Sequence, residues 1–195
     1  MKAKKSLESA ALIAVSLLIT ACGRAPRTAA QWEQIDMEAA DAHQLARAVE
    51  ARDAFASRLM GKLTGAIAEG GPGNAVGICN TEAPLIAEGI NEEFGVRIGR
   101  TSHKLRNPNN TPPSWMSTSV SEIREEPAAF TGPGGVLGAV YPIRVAAPCL
   151  LCHGDPGAII PEARSRIAEL YPDDRATGFA AGDLRGWFWI EVPSE

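Results

Sequence analysis

The stretch "GWFWIEV", Gly186–Val192, decides the fold class of this chain. It is rich in aromatic and β-branched side chains, which favour a β-strand. Successive residues of a strand point to opposite faces of the sheet. Trp187 and Trp189 are therefore predicted to share one face, and Phe188 to take the other. The segment predicts a strong strand that packs on both sides.

Helices and further strands are predicted around this segment. Residues 96–102 look extended, and β-branched residues predict a strand over 135–145. Between residues 31 and 69, apolar side chains recur every three or four positions, which predicts one long helix or two joined helices. The sequence "GGPG" at 70–73 should end that helix, and another should run from residue 80 or 81 to about 94. Helices followed by a small set of strands predict an α+β fold rather than a doubly wound sheet.

The first residues are typical of a targeting segment and not of a folded domain. Three lysines precede a short apolar run from Ala10 to Ile19, and small residues then lead to Cys22. This pattern resembles a bacterial lipoprotein signal, which implies cleavage before Cys22 and lipid on its thiol. The alternative is an uncleaved transmembrane anchor. The apolar run is, however, shorter than the about 20 residues that span a bilayer.

Composition fits one acidic domain behind this segment. We expect a lipoprotein signal peptide over residues 1–21, a linker over 22–31 and a single domain over 32–195, with a helical part over 32–70. The net charge of the chain is −4 and that of residues 1–21 is +2, which leaves −6 on the remainder (−4 minus +2). No basic patch suggests a nucleic-acid partner. We expect export to the bacterial cell envelope, with lipid on Cys22 anchoring the domain to a membrane so that it faces the periplasm.

The segment "PCLLCHGDP", at 148–156, carries the pattern Cys-x-x-Cys-His. That pattern indicates covalent attachment of a c-type haem. Cys149 and Cys152 lie on one face of a helical turn, so both thiols can reach one edge of the porphyrin, and His153 is then an axial ligand of the iron. A zinc site would need two further ligands nearby, and a thioredoxin-like motif would need a βαβ context. We therefore predict one covalently bound haem c.

The second axial ligand is left open by residue chemistry alone. Haem iron accepts His, Met and Cys thiolate, and Cys79, Met116 and His103 are equal candidates on that basis. Cys79 is also the one cysteine without a predicted role, since Cys22 is assigned to lipid and the two others to haem. An odd cysteine in an exported protein requires an explanation. Its simplest alternative role is that of a buried structural cysteine.

Four motifs in the same order resemble one known family. Beside "CLLCHG", they are "AVGICNTEAP" at 75–84, "VRIGRTSHKLRNPNNTPPSW" at 96–115 and "YPDDRATGFAAGDLRGWFWI" at 171–190. Together they are similar to the DUF3365 family, the Tll0287-like haem c proteins, over about residues 72–192. The resemblance implies a PAS-like α+β fold, an antiparallel sheet with flanking helices, that holds one covalent haem. It also implies axial ligation by His153 and by the cysteine of the Cys-x-x-x-Ala-Pro motif, which is Cys79.

Two arginines of the second motif, Arg100 and Arg106, have two possible roles. A guanidinium fork matches a carboxylate, so either residue could contact a haem propionate. Alternatively, they hold the Asn-Pro loop that follows through backbone carbonyls.

The function expected from this site is electron transfer or another redox role. Two strong axial ligands leave no open position at the iron, and no other catalytic constellation is present, so we do not expect an enzyme. An anionic thiolate favours ferric iron, which predicts a low reduction potential. The alternative is a module that senses redox state or the gases CO and NO. It would act through a separate signalling partner protein. A peroxidase-like enzyme would need a vacant sixth position.

Overall fold

The structure is a computed structural model and describes residues 31–195. Cys22 and the predicted signal peptide lie outside the described residues, as does all of the predicted linker except residue 31. Among the helices within residues 31–195, none combines the length and the apolar character required to cross a bilayer.

A five-stranded antiparallel sheet forms the centre of the molecule. Its strands are β1 (Glu33–Ile35), β2 (Arg97–Thr101), β3 (Ala128–Thr131), β4 (Leu137–Arg144) and β5 (Leu184–Val192). Their order across the sheet is β1-β3-β4-β5-β2. The strand predicted from "GWFWIEV" is β5, and it lies between β4 and β2. The prediction of an α+β fold is confirmed.

The long helix α1 (Ala42–Phe94) folds back on itself. Gly70 and Gly71 have non-helical backbone angles and interrupt it, with φ of +74° at Gly71. Lys62 Nζ and Glu82 Oε2 lie 3.2 Å apart, whereas residues so distant in sequence would be about 30 Å apart in a straight helix. Helix α1 is therefore a hairpin of two antiparallel arms, one on each side of the glycine pair.

Two helix boundaries differ from the sequence prediction. The helical part predicted over 32–70 is wrong at its start, because strand β1 and a 3₁₀ turn (Met37–Ala39) precede α1. The helix begins where the Asp41 side chain accepts a hydrogen bond of 2.9 Å from the backbone N–H of Gln44, a typical N-cap. A separate helix beginning at residue 80 or 81 is also wrong, since the second arm of α1 already contains these residues. The predicted end is right: Gly95 closes the helix in the left-handed conformation.

The sheet has a hydrophobic cluster on each face. On one face, α1 contributes Phe55 and Ile90, which pack against Phe188 and Ile190 of β5. The other face carries Trp187. The predicted alternation of Trp187 and Phe188 is therefore confirmed. Three short helices complete the fold: α2 (Ser117–Ser121), α3 (Leu150–His153) and α4 (Pro161–Leu170).

Candidate functional site

A cavity of about 300 Å³ lies between α1, the sheet and the Cys-x-x-Cys-His segment. Most of its wall is apolar, and side chains from both arms of α1 contribute to it. Cys79, Cys149, Cys152 and His153 all line this one cavity. The fold thus brings Cys79, on the second arm of α1, to the same space as a segment far along the chain.

The Cys-x-x-Cys-His segment adopts the helical turn that its spacing predicts. A 3₁₀ turn (Ala147–Cys149) leads directly into α3, which ends at His153. Cys149 and Cys152 are half-buried free thiols, and so is Cys79. Burial raises the pKa of Cys152, and the nearby Arg106 guanidinium partly opposes this.

The His153 imidazole is held in one orientation by a backbone carbonyl. Its Nδ1 lies 2.7 Å from the carbonyl oxygen of Ala176, so Nδ1 carries the proton and donates it. Its ring also meets the edge of Phe179, with centroids 6.4 Å apart. Burial, followed by the positive charges of Arg185 and Arg106, holds the pKa of His153 well below its usual range. The ring is therefore neutral, with Nε2 free as a donor to a metal, which is the usual arrangement of a metal-binding histidine.

Arg106 ties this segment to the chain around Asp174. Its Nε and Nη2 lie 3.1 and 3.0 Å from the two carboxylate oxygens of Asp174, and both side chains are buried. Nη2 also donates to the carbonyl oxygens of Cys152 at 2.6 Å and Ala176 at 3.3 Å. Of the two roles considered for Arg106, carbonyl contacts are observed. They reach the Cys-x-x-Cys-His segment and Ala176, however, and not the Asn-Pro loop.

Arg100 lines the cavity without a carboxylate partner among residues 31–195. Its guanidinium carbon lies 5.2 Å from the centroid of the Phe55 ring. Burial lowers the pKa of Arg100, and Cys79 and Tyr171 oppose that shift. The propionate contact predicted for Arg100 stays a prediction.

A further cation, Arg185, was missed by the sequence analysis. It lines the same cavity, and its Nη1 donates to Ser102 Oγ at 2.8 Å and to the carbonyl oxygen of Lys104 at 3.2 Å. Burial, followed by Arg106 and Arg100, lowers the pKa of Arg185 to about 10. Strand alternation gave no signal for this residue, because it places Arg185 on the same face as Trp187.

Three arginines act on the Cys79 thiol. Burial raises its pKa, whereas Arg100 most strongly, then Arg106 and Arg185, lower it. The effect of burial prevails, so the pKa of Cys79 lies above its usual value. The arginines reduce this rise and so favour the thiolate, which is the form that binds metals.

The other candidate axial ligands lie outside the cavity wall. Met116 is fully buried in the cluster that contains Trp187. His103 packs edge-on between Phe179 and Trp187, with centroids at 6.0 and 5.9 Å, and its buried Nδ1 has no hydrogen-bond partner. Met60, which the sequence analysis did not rank, does line the cavity. Within residues 31–195, no three His, Cys, Asp or Glu side chains are arranged to hold a metal ion.

Comparison with known proteins gives one family and one solved structure. The chain matches the Tll0287-like family over residues 23–193. A structure described as that of the cyanobacterial heme-protein Tll0287 is 27% identical, with a TM-score of 0.59, over 80% of this chain and 98% of that one. No curated protein matches this chain. Together with the antiparallel sheet, the structural likeness confirms the predicted PAS-like α+β fold.

Proposed function

The chain belongs to the Tll0287-like family, and from that premise we propose that it is an exported, lipid-anchored protein with one covalently bound haem c. Cys149 and Cys152 would hold the haem through thioethers, and His153 and Cys79 would be its axial ligands. The structural relative is described as a heme-protein, which supports haem as the cofactor. Lipid on Cys22 would anchor the protein to a membrane, facing the periplasm.

One observation carries the proposal. The His153 ring is neutral, its Nδ1 is bound to the Ala176 carbonyl at 2.7 Å, and it shares a cavity with three free cysteines. That donor set fits haem c: two thiols three residues apart on one helical turn, an oriented imidazole and a further thiol. The apolar wall formed by α1 and the sheet suits the face of a porphyrin.

Different residues of the cavity would bind the haem and set its reduction potential. Haem iron supplies a one-electron couple when bound. His153 is oriented by Ala176, and Arg106 holds the carbonyl of Cys152 in place. Cys79 supplies an anionic donor whose charge the neighbouring arginines favour. A thiolate ligand stabilises the ferric state, so we expect a low reduction potential.

Electron transfer with an unidentified redox partner is the activity we propose. Two protein ligands leave no position at which a substrate could be turned over, so we do not propose an enzyme. The alternative is a sensing module that loses Cys79 on reduction and then binds CO or NO, acting through a separate partner.

Absorption spectra of the ferric and ferrous holoprotein test this proposal. We expect a six-coordinate low-spin ferric spectrum with a thiolate charge-transfer band that Cys79→Ser abolishes. Met60→Leu is the matched control, because Met60 also lines the cavity and its sulfur can bind iron. It should leave the spectrum unchanged.

Other outcomes separate the remaining functions. A high-spin ferric spectrum would contradict two axial ligands and favour an enzyme. Loss of the low-spin spectrum in Met60→Leu, but not in Cys79→Ser, would show that methionine is the ligand. A ferrous form that binds CO rapidly would favour sensing over electron transfer. Haem that is extracted by acidic organic solvent would contradict covalent attachment through Cys149 and Cys152.

A further inference from the structure

Strand β5 contains a β-bulge at the edge of the cavity. In its ladder with β4, Gly186 lies opposite Ile143, but the next partner, Arg144, lies opposite Leu184. Arg185 is therefore the extra residue of the bulge, without a partner on β4. A bulge bends its strand and redirects the side chains beside it, often next to a functional site.

The bulge reverses the direction of Arg185. With uninterrupted alternation, Arg185 would lie on the face of Trp187, away from the cavity. Leu184 takes that face instead and packs in the cluster that contains Trp187. Arg185 lines the cavity together with Phe188. The bulge thus directs the Arg185 guanidinium into the cavity, whereas a regular strand would point it to the opposite face of the sheet.

Gly186 makes this path of the backbone possible. A Cβ atom at position 186 would lie 2.1 Å from the carbonyl oxygen of Thr101 on the neighbouring strand, which no real Cβ tolerates. Glycine is therefore required directly after Arg185, where two backbones approach closely.

Two of the arginines in the cavity wall make no salt bridge with a carboxylate of residues 31–195. Four arginines line it: Arg100, Arg106, Arg144 and Arg185. Arg106 pairs with Asp174 at 3.0 Å, and Arg144 pairs with Glu125 at 3.1 Å. Within residues 31–195, Arg100 and Arg185 make no salt bridge. A cation in an apolar cavity is costly unless it is paired, so this wall favours an anionic ligand that reaches both guanidiniums.

The two arginines without a salt bridge enter the cavity from neighbouring strands. Arg100 belongs to β2 and Arg185 to β5, which pair in the sheet, and both residues line the cavity. Haem carries two propionate carboxylates, so its polar edge would match this pair of cations.

We propose that Arg100 and Arg185 form a two-point seat for the two propionate carboxylates of the haem, and that Arg106 takes no part in it. This inference rests on the proposed function, since it names the residues that orient the cofactor within the same cavity. The sequence suggested Arg100 and Arg106 as the propionate contacts. In this proposal Arg185, which the bulge directs into the cavity, takes the place of Arg106. Guanidinium forks match carboxylates in shape as well as in charge.

Resonance Raman spectra of the holoprotein test the seat through the propionate bending bands. We expect Arg185→Gln to shift these bands and to lower the reduction potential, because one cation near a propionate is lost. Arg185→Lys keeps the charge but not the fork, so it should restore the potential and only part of the band shift. Arg144→Gln is the matched control: it also removes a cavity arginine, but one already paired with Glu125, and should move neither band nor potential.

Several outcomes would overturn the seat. Unchanged propionate bands in Arg185→Gln would exclude the contact, and so would an equal shift in Arg144→Gln. If the thiolate charge-transfer band moved instead, Arg185 would balance Cys79 and not a propionate. If Arg185→Gln does not fold, Arg185→Lys and Arg100→Lys can be measured instead. Each of them must shift the propionate bands for the proposal to stand. Failure of the proposed function itself would look different, because the wild-type protein would then lack covalent haem or the Cys79-dependent band.

Discussion

Replacing Arg106 by alanine should destabilise the protein strongly. The side chain is 9% exposed and its partner Asp174 is 8% exposed, so the ion pair is buried and not screened by solvent. Removing one member of a buried pair leaves the other charged and unpaired, which typically costs about 3–5 kcal/mol. The carbonyl oxygens of Cys152 and Ala176 also lose their donor. We therefore expect Arg106→Ala to lower the free energy of unfolding by about 4 kcal/mol or more.

Urea unfolding of the holoprotein, followed by circular dichroism and tryptophan fluorescence, measures this loss. Arg58→Ala is the matched control, because Arg58 Nη2 donates to both carboxylate oxygens of Glu93, at 3.0 and 2.7 Å, on the surface. Those side chains are 44% and 49% exposed, so the control should cost about 0.2–1 kcal/mol, and high salt should reduce that cost further.

A double-mutant cycle separates the ion pair from other losses. Arg106→Ala, Asp174→Ala and the double variant should give a coupling free energy of about 2–3 kcal/mol. An Arg106→Ala cost equal to that of Arg58→Ala would refute the reasoning. A coupling free energy near zero would also refute it, since the destabilisation would then come from packing alone.

Two further predictions concern the backbone and alkaline pH. Gly186→Ala should lower the free energy of unfolding in urea by about 2 kcal/mol or more, because its Cβ would lie 2.1 Å from the Thr101 carbonyl oxygen. The control Gly61→Ala, in an exposed part of α1 with nothing within 4 Å of the new Cβ, should raise it by about 0.5–1 kcal/mol. Equal effects of the two substitutions would contradict the clash. Burial, chiefly, raises the pKa of Tyr171 to about 12. An unfolded tyrosine ionises near pH 10, so between about pH 10 and 12 the unfolded state binds fewer protons and stability falls as pH rises. Tyr171→Phe should remove up to about 2–3 kcal/mol of that alkaline loss, and an unchanged pH profile would contradict the shift.

The parts of the fold that the sequence predicts are those set by local chemistry. The aromatic and β-branched residues of β5 favour a strand through their own side chains, and Gly95 ends α1 because glycine adopts the left-handed conformation without strain. The Cys-x-x-Cys-His spacing likewise needs only one helical turn, which α3 and the turn before it supply.

The parts that it misses depend on distant partners. Residues 33–35 form β1 because they pair with β3, and Trp32 lies where a Cβ on Gly132 or Gly138 would be 2.7 Å from its ring. The spacing of apolar residues before Ala42 carries no sign of that contact, so the sequence predicts a helix that begins too early. The glycine pair after residue 69 interrupts the helix, as the sequence predicts. That the helix resumes in the reverse direction depends on packing between its arms.

In the site, too, local chemistry can be read from the sequence and contacts with distant residues cannot. Arg106 and Arg185 illustrate this. Arg106 stands in a motif that also contains His103, and its residue type fits a carboxylate, so the sequence leaves a propionate contact and a backbone-carbonyl role equally open. In the fold its carboxylate is Asp174, and the role of Arg106 is to hold the Cys-x-x-Cys-His segment against the chain around Ala176. Arg185 lies in a strand pattern that points it away from the cavity, and one unpaired residue in the β4–β5 ladder reverses that direction. Charge balance then distinguishes the two. A guanidinium already paired with a buried carboxylate gains little from a second anion, whereas an unpaired one in an apolar wall gains from any carboxylate that reaches it.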